Sequence, residues 1–187
     1  MARETNNSSI EYRPATSEDG ENVMRLVISS ALAVNGKTLH GMPDYEETLT
    51  REAELFRSDL KRGVECLVAT DGSKIVGTIQ YELLKDGRWS GCGSISNFFV
   101  DEAYRSQGIG TELFIRVCRT LDSQGVQGMH FFGINSKRSL KFYGRYRPRV
   151  LSRQIYPSFG GFKRDTLELF FPDLRVVLQK YETAQSK

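Results

Sequence analysis

The residues whose types and spacing first suggest chemistry are Arg105-Ser106-Gln107-Gly108-Ile109-Gly110-Thr111. Two glycines one residue apart let the backbone turn tightly and come close to a ligand. If a helix starts here, its first amides have no intrahelical acceptor and point outward. With the helix dipole they form an anion site suited to a pyrophosphate. Arg105 adds a charge at the mouth and Thr111 a hydroxyl. The run is neither the dinucleotide G-x-G-x-x-G nor a phosphate loop ending in G-K-[ST]. A bare glycine pair also fits an ordinary turn into a helix, so the surrounding elements decide its weight.

The pattern predicts a strand at Ile10–Arg13, broken by Pro14, and a helix over Glu18–Val34 capped by Thr16 or Ser17. A second helix spans Asp44–Lys61 and stops at Gly63. Strands Val64–Thr70, Lys74–Leu84 and Ser94–Val100 form an antiparallel meander, with turns at Asp71-Gly72 and Asp86-Gly87. A helix over Gly108–Asp122, a strand at Gly128–Ile134 and a helix over Ser136–Tyr146 follow. A strand pair, Pro148–Tyr156 and Asp165–Phe171, and a short helix near Leu174–Tyr181 end the chain. The fold class is α/β, an α+β mixed sheet, mostly antiparallel, with one parallel crossover between residues 94–100 and 128–134 and helices on its faces. The glycine pair therefore follows a strand and opens a helix. At 187 residues the chain fits one domain over residues 10–187, with polar Met1–Ser9 as a flexible tail.

With that order in place, the run from Asn97 to Leu113 resembles the central motif of the GNAT superfamily of acyl-CoA-dependent N-acyltransferases, Q/R-x-x-G-x-G/A at a helix start. Arg105, Gly108 and Gly110 fill its defining positions. The resemblance covers residues 10–156 in element order and is sharp over 94–115. It implies acetyl-CoA as cosubstrate, its pyrophosphate held by the amides of Ser106, Gln107, Gly108, Ile109, Gly110 and Thr111. The backbone of Phe98, Phe99 and Val100 would pair with the pantetheine arm, the Val100 amide polarising the thioester carbonyl. The strands at 94–100 and 128–134 would splay into a V that admits the cofactor.

The stretch from Asn135 to Tyr143 is similar to the family's later motif, N-x-x-A-x-x-F/L-Y followed by x-x-x-G-F. Phe142-Tyr143 fits, Ser136 takes the Asn slot, Asn135 lies one residue early, and Arg147-Pro148 replaces Gly-Phe. A pantetheine contact from Asn135, Ser136 or neither stays open. Tyr143 is the expected general acid for the leaving thiolate. For the general base, many members use a strand Glu. Here residues 94–100 and 128–134 carry no carboxylate, which leaves Glu82, His130 or direct loss of the proton to water. His40, in the loop at Asn35–Pro43, is a weaker candidate. Tyr45, Tyr81, Trp89, Tyr156 and Phe159 are candidates to line the acceptor pocket, with Asn35–Pro43 and Pro157–Lys163 as lids.

Composition bounds the rest. No apolar run reaches the roughly 18–20 residues a membrane span needs. Cys66, Cys92 and Cys118 are widely spaced, with no C-x-x-C pair for zinc, and fit reduced thiols in a cytoplasmic protein. Residues 135–187 carry 12 Lys/Arg against 4 Asp/Glu, a net of +8, whereas residues 1–134 carry 14 against 19, a net of −5. Arg145, Arg147, Arg149 and Arg153 would attract an acidic substrate or the 3′-phosphate of CoA. The basic residues are spread over helix and strand rather than gathered in a tract, which argues against nucleic acid. The expected activity is acetyl transfer to a primary amine on a small molecule or peptide, by direct attack in a ternary complex, and a homodimer is left open. The alternative is a non-catalytic acyl-CoA-binding sensor or scaffold module.

Overall fold

The computed structural model describes residues 10–34, 42, 44–157 and 163–186. Met1–Ser9, His40, Phe159 and most of the expected lids lie outside these. Strand β1 (Glu11–Pro14) leads through a short 3₁₀ turn at Ser17–Asp19 into α1 (Gly20–Val34). The Asp19 carboxylate accepts the Thr16 N–H at 2.8 Å and clamps both Arg13 nitrogens at 2.7 and 2.8 Å. That guanidinium holds the Asp19 carboxyl at about 2, below the usual carboxylate range.

The remaining elements are α2 (Tyr45–Lys61), β2 (Glu65–Asp71), β3 (Lys74–Leu83), β4 (Gly93–Val100), α3 (Ile109–Ser123), β5 (Met129–Ile134), α4 (Lys137–Gly144), β6 (Arg149–Pro157), β7 (Lys163–Phe171) and α5 (Leu174–Gln185). Each expected element is present, with bounds moved by a few residues at caps and turns. The expected helix over Ser136–Tyr146 is shorter, because Ser136 serves as its cap and accepts the Ser139 N–H at 3.2 Å.

The sheet has seven strands in the order β1-β2-β3-β4-β5-β7-β6. All neighbours are antiparallel except β4 and β5, whose single paired position is Gly93 with Met129. Strand β7, the last among the described residues, lies between β5 and β6.

Each face has its own core. Phe114, Leu113, Val117 and Leu121 of α3 join Phe131, Leu169, Phe171 and Val177 on one face. Val23, Val27, Ile28, Leu49 and Phe56 of α1 and α2 pack on Cys66, Val68 and Ile75 on the other. Among the described residues no helix is long and apolar enough to cross a membrane.

Candidate active site

Strands β4 and β5 touch at Gly93 and Met129 and have no paired position beyond. Two features of β4 build this divergence. At its base a side chain on Gly93 would sit 2.6 Å from Leu121 Cδ1, so the strands and α3 meet closely only because Gly stands there. Further on, the register with β3 shifts between Thr78–Phe99 and Gln80–Ser96, which leaves an extra residue in β4. Asn97 takes φ +44° at this bulge, and Asn tolerates that region better than most residues. Asp101 donates its N–H to Val76 on the β3 side at 2.8 Å. Strand alternation then turns the Val100 N–H into the gap, where the Val100 carbonyl already accepts Arg105 Nε at 3.0 Å.

The mouth of the gap is the start of α3. Gly108 is its N-cap at φ +85°, and Ser106 takes φ +64°. The first backbone bond of the helix runs from Glu112 N–H to Gly108 C=O at 2.9 Å. The amides of Ser106 through Thr111 donate to no acceptor among the described residues. Three arginines, Arg105, Arg138 and Arg145, converge here: burial and the nearby Arg138 charge hold the Arg105 pKa below its ordinary value. Arg145 Nη2 reaches Thr111 Oγ1 at 3.4 Å and lies over the Phe142 ring at 4.9 Å. Arg105 is also tied to Glu102 at 3.0 Å, so it braces the loop as well as charging it. Outward amides at a helix start, beside arginines, have the chemistry of an anion site.

Tyr143 of α4 spans the gap on the α3 face. Its ring lies 6.5 Å from that of Phe98 on β4 and 5.0 Å from that of Phe131 on β5. The ring is buried, and burial pushes the hydroxyl above its ordinary range. Among the described residues nothing bonds that hydroxyl and no fully buried polar side-chain atom lacks a partner, so the hydroxyl keeps a small exposed area. Beyond Tyr143 an apolar cavity of about 160 Å³ opens between Leu140, Val150, Leu167 and Leu169.

Asn135 and Ser136 both have other work. Asn135 Nδ2 bonds Asp165 at 2.9 Å, and Ser136 caps α4. Arg147, in the slot where the family motif has Gly, takes φ +55°, so the backbone turn persists without its usual residue. Arg153 is paired with Asp165 at 2.7 Å.

The candidate bases separate. Glu82 is exposed and pairs with Ser94, beside the closed end of the V. His130 is 6% exposed on β5, facing away from α3. Its Nε2 lies 2.9 Å from Glu168 Oε1, and Ser152 Oγ donates to Glu168 Oε2 at 2.7 Å. The Ser152 hydroxyl, then His130, hold the Glu168 carboxyl below its usual range. Trp89 stacks on the imidazole at 4.3 Å, 13° from parallel. Of the aromatics expected at the pocket, Trp89 and Tyr156 do lie on this face. Tyr81 does not: strand alternation turns it into the α3 core, where its hydroxyl donates to Glu65 at 2.8 Å. Tyr45 packs beside the α1–α2 core, under Arg25.

Sequence reasoning missed Glu168, Ser152, Phe132 and the amide pair in which Asn97 Nδ2 donates to buried Gln80. One signal was present: Glu168 is a lone carboxylate within the apolar run Leu167-Glu168-Leu169-Phe170-Phe171, and carboxylates are rarely placed in such strands unless paired.

With this geometry in view, comparison is informative. The sequence matches the Acetyltransferase (GNAT) family over residues 37–147, more than half of the chain, and the chain belongs to that family. No curated protein matches it. An N-acetyltransferase from Staphylococcus aureus Mu50 is 17% identical, with TM-score 0.67 over 89% of this chain and 99% of that one. The yncA protein of Salmonella typhimurium, solved with its cofactor acetyl-CoA, is 16% identical, with TM-score 0.61 over 89% and 94%. The paia N-acetyltransferase of Thermoplasma acidophilum, in complex with coenzyme A, is 18% identical, with TM-score 0.60 over 86% and 98%. At such identities the likeness is one of fold.

Proposed function

We propose that residues 10–187 form one N-acetyltransferase domain that transfers an acetyl group from acetyl-CoA to a primary amine in a ternary complex. The observation that carries this reading is the run of unbonded amides from Ser106 to Thr111 at the mouth of the β4–β5 gap. Those amides, with Arg105, Arg138 and Arg145, suit the phosphates of a CoA, and the open side of β4 suits its amide-bearing arm. Acetyl-CoA would supply an acyl carbon activated as a thioester.

The chain's own groups then have defined tasks. The Val100 N–H donates to the carbonyl oxygen, where negative charge gathers as nitrogen attacks. Such a donor is worth on the order of a hundredfold in rate. Tyr143 gives its proton to the departing sulfur as the C–S bond breaks, and the proton lost by the attacking nitrogen restores the charge balance. Burial keeps the Tyr143 hydroxyl protonated until the thiolate forms. Phe98 and Phe131, on either side of the Tyr143 ring, keep water from that sulfur.

The test is the Tyr143→Phe variant, read by calorimetry with acetyl-CoA and by thiol release with an amine panel. We expect the acetyl-CoA Kd to stay within about threefold and kcat to fall about a hundredfold. An unchanged kcat removes Tyr143 from the chemistry. A wild-type protein that binds acetyl-CoA but acetylates no amine would instead be a non-catalytic acyl-CoA sensor. No binding at millimolar acetyl-CoA defeats both readings.

A further inference from the structure

The face of β5, β7 and β6 that carries His130 continues from the gap on the side of α1 and α2. Phe132, paired across from Glu168, is 42% exposed, and Tyr156 is 37% exposed. Their rings meet edge to face at 5.3 Å, and Phe132 also meets the His130 ring at 5.5 Å. This aromatic surface is floored by a carboxylate, since Glu168 lies between Phe132 on β5 and Ser152 on β6. Aromatic faces and an ionised carboxylate together attract a cation and its apolar body.

The tautomer of His130 follows from its partner. Glu168, ionised and already accepting from Ser152, can only accept from Nε2, so Nε2 carries the proton. The lone pair is then on Nδ1, which has no partner among the described residues and reaches the surface. The charged groups around the ring are Glu168 on β7 and Arg88 on the β3–β4 connection, over Trp89 at 4.8 Å. At the β4 bulge, Gln80 and Asn97 are amides and cannot take a proton. The exposed Glu82 side chain has no ion pair or hydrogen bond among the described residues.

Resting on the acetyltransferase reading, we propose that the acceptor is a primary amine with an aromatic or other flat apolar body, docked over Phe132 and Tyr156, and that His130, oriented by Glu168, takes its proton. The R–NH₃⁺ group gives one proton to Nδ1, which leaves R–NH₂ and an imidazolium paired with Glu168. That proton passes to water. The nitrogen then bonds the acyl carbon and gives its second proton to His130, neutral again. The C–S bond breaks, Tyr143 protonates the thiolate, and the proton released from His130 through water restores the Tyr143 hydroxyl. Glu168 is a positioning residue, acting through His130.

The experiment uses acetyl-CoA with 2-phenylethylamine and, as the body-less comparison, n-butylamine. The wild type should favour 2-phenylethylamine by roughly tenfold in kcat/KM, the scale of one aromatic–aromatic contact, since the ammonium group is common to both amines. Phe132→Ala, at an exposed position, should erase that preference mainly through KM. His130→Gln and Glu168→Gln should each lower kcat about a hundredfold. His130→Gln should remove the acid limb of the kcat/KM–pH profile and Glu168→Gln should displace it, with the acetyl-CoA Kd within threefold. An acid limb unchanged in both variants, or no aromatic preference in the wild type, overturns this proposal alone. Wild-type protein that fails to bind acetyl-CoA overturns the acetyltransferase reading beneath it.

Discussion

The cradle at the start of α3 and the floor around His130 differ in how they recognise anything. The cradle works with backbone amides from one continuous stretch, Ser106 to Thr111, turned outward by Ser106 and Gly108 in left-handed conformations. The floor works with side chains from β5, β6, β7 and the β3–β4 connection, each contributing one or two groups. A backbone site demands glycine and so marks the sequence. A side-chain site assembled across strands demands only that alternation place each residue on the right face. On the proposed reading, the first takes the ligand part common to the family and the second the part that varies.

The sharpest way to break the comparison is at the cradle itself. Gly108→Val puts a β-branched residue at φ +85°, where no side chain sits comfortably, and swings the first amides out of line. Each lost charge-assisted hydrogen bond is worth about 1.5–3 kcal/mol, so acetyl-CoA affinity should fall a hundredfold or more by calorimetry, with the far-UV circular dichroism little changed. Retained affinity would show that the backbone is not the receptor. Gly93→Val strikes the point the two regions share. Overpacking against Leu121 should cost about 1–3 kcal/mol, a fall of roughly 2–10 °C in Tm for a chain of this size. It should also weaken acetyl-CoA binding and acceptor turnover together. An effect on only one of them would mean that the regions are uncoupled. The smallest effect belongs to Ser136→Ala, which loses the α4 cap for about 1 kcal/mol and about 2–4 °C in Tm. Because the Ser136 hydroxyl is spent on the Ser139 N–H, the acetyl-CoA Kd should move by less than threefold. A larger loss would make Ser136 a cofactor contact after all.

The elements and the cradle were legible because both are local. Val23, Leu26, Val27 and Ala31 recur at helical spacing, and Arg105 through Thr111 is contiguous. The placement of β7 between β5 and β6 was not, since the hairpin reads the same whichever strand meets β5. That placement is what brings Glu168 to His130, 38 residues earlier. Tyr81 was misread because its face depends on strand alternation across β3, where Ile79 shares its side. Asn135 matched a motif letter by type, but its amide is taken by Asp165, a partner thirty residues on. Local chemistry survives translation into sequence, whereas partner choice across strands does not.

The insertion of β7 also orders events during folding. Strand β5 has one paired position with β4 but a full ladder with β7, from Met129–Phe171 to Ile134–Thr166. One wall of the V is therefore held by a strand synthesised after β6. While the ribosome still holds that segment, every motif residue from Arg105 to Tyr143 has emerged, yet β5 has an open edge and no ladder to hold it apart from β4. The nascent chain thus carries a complete cradle before it has a complete cleft. The second wall of the cleft is in place only once this ladder, between residues 32 to 42 apart in sequence, has closed.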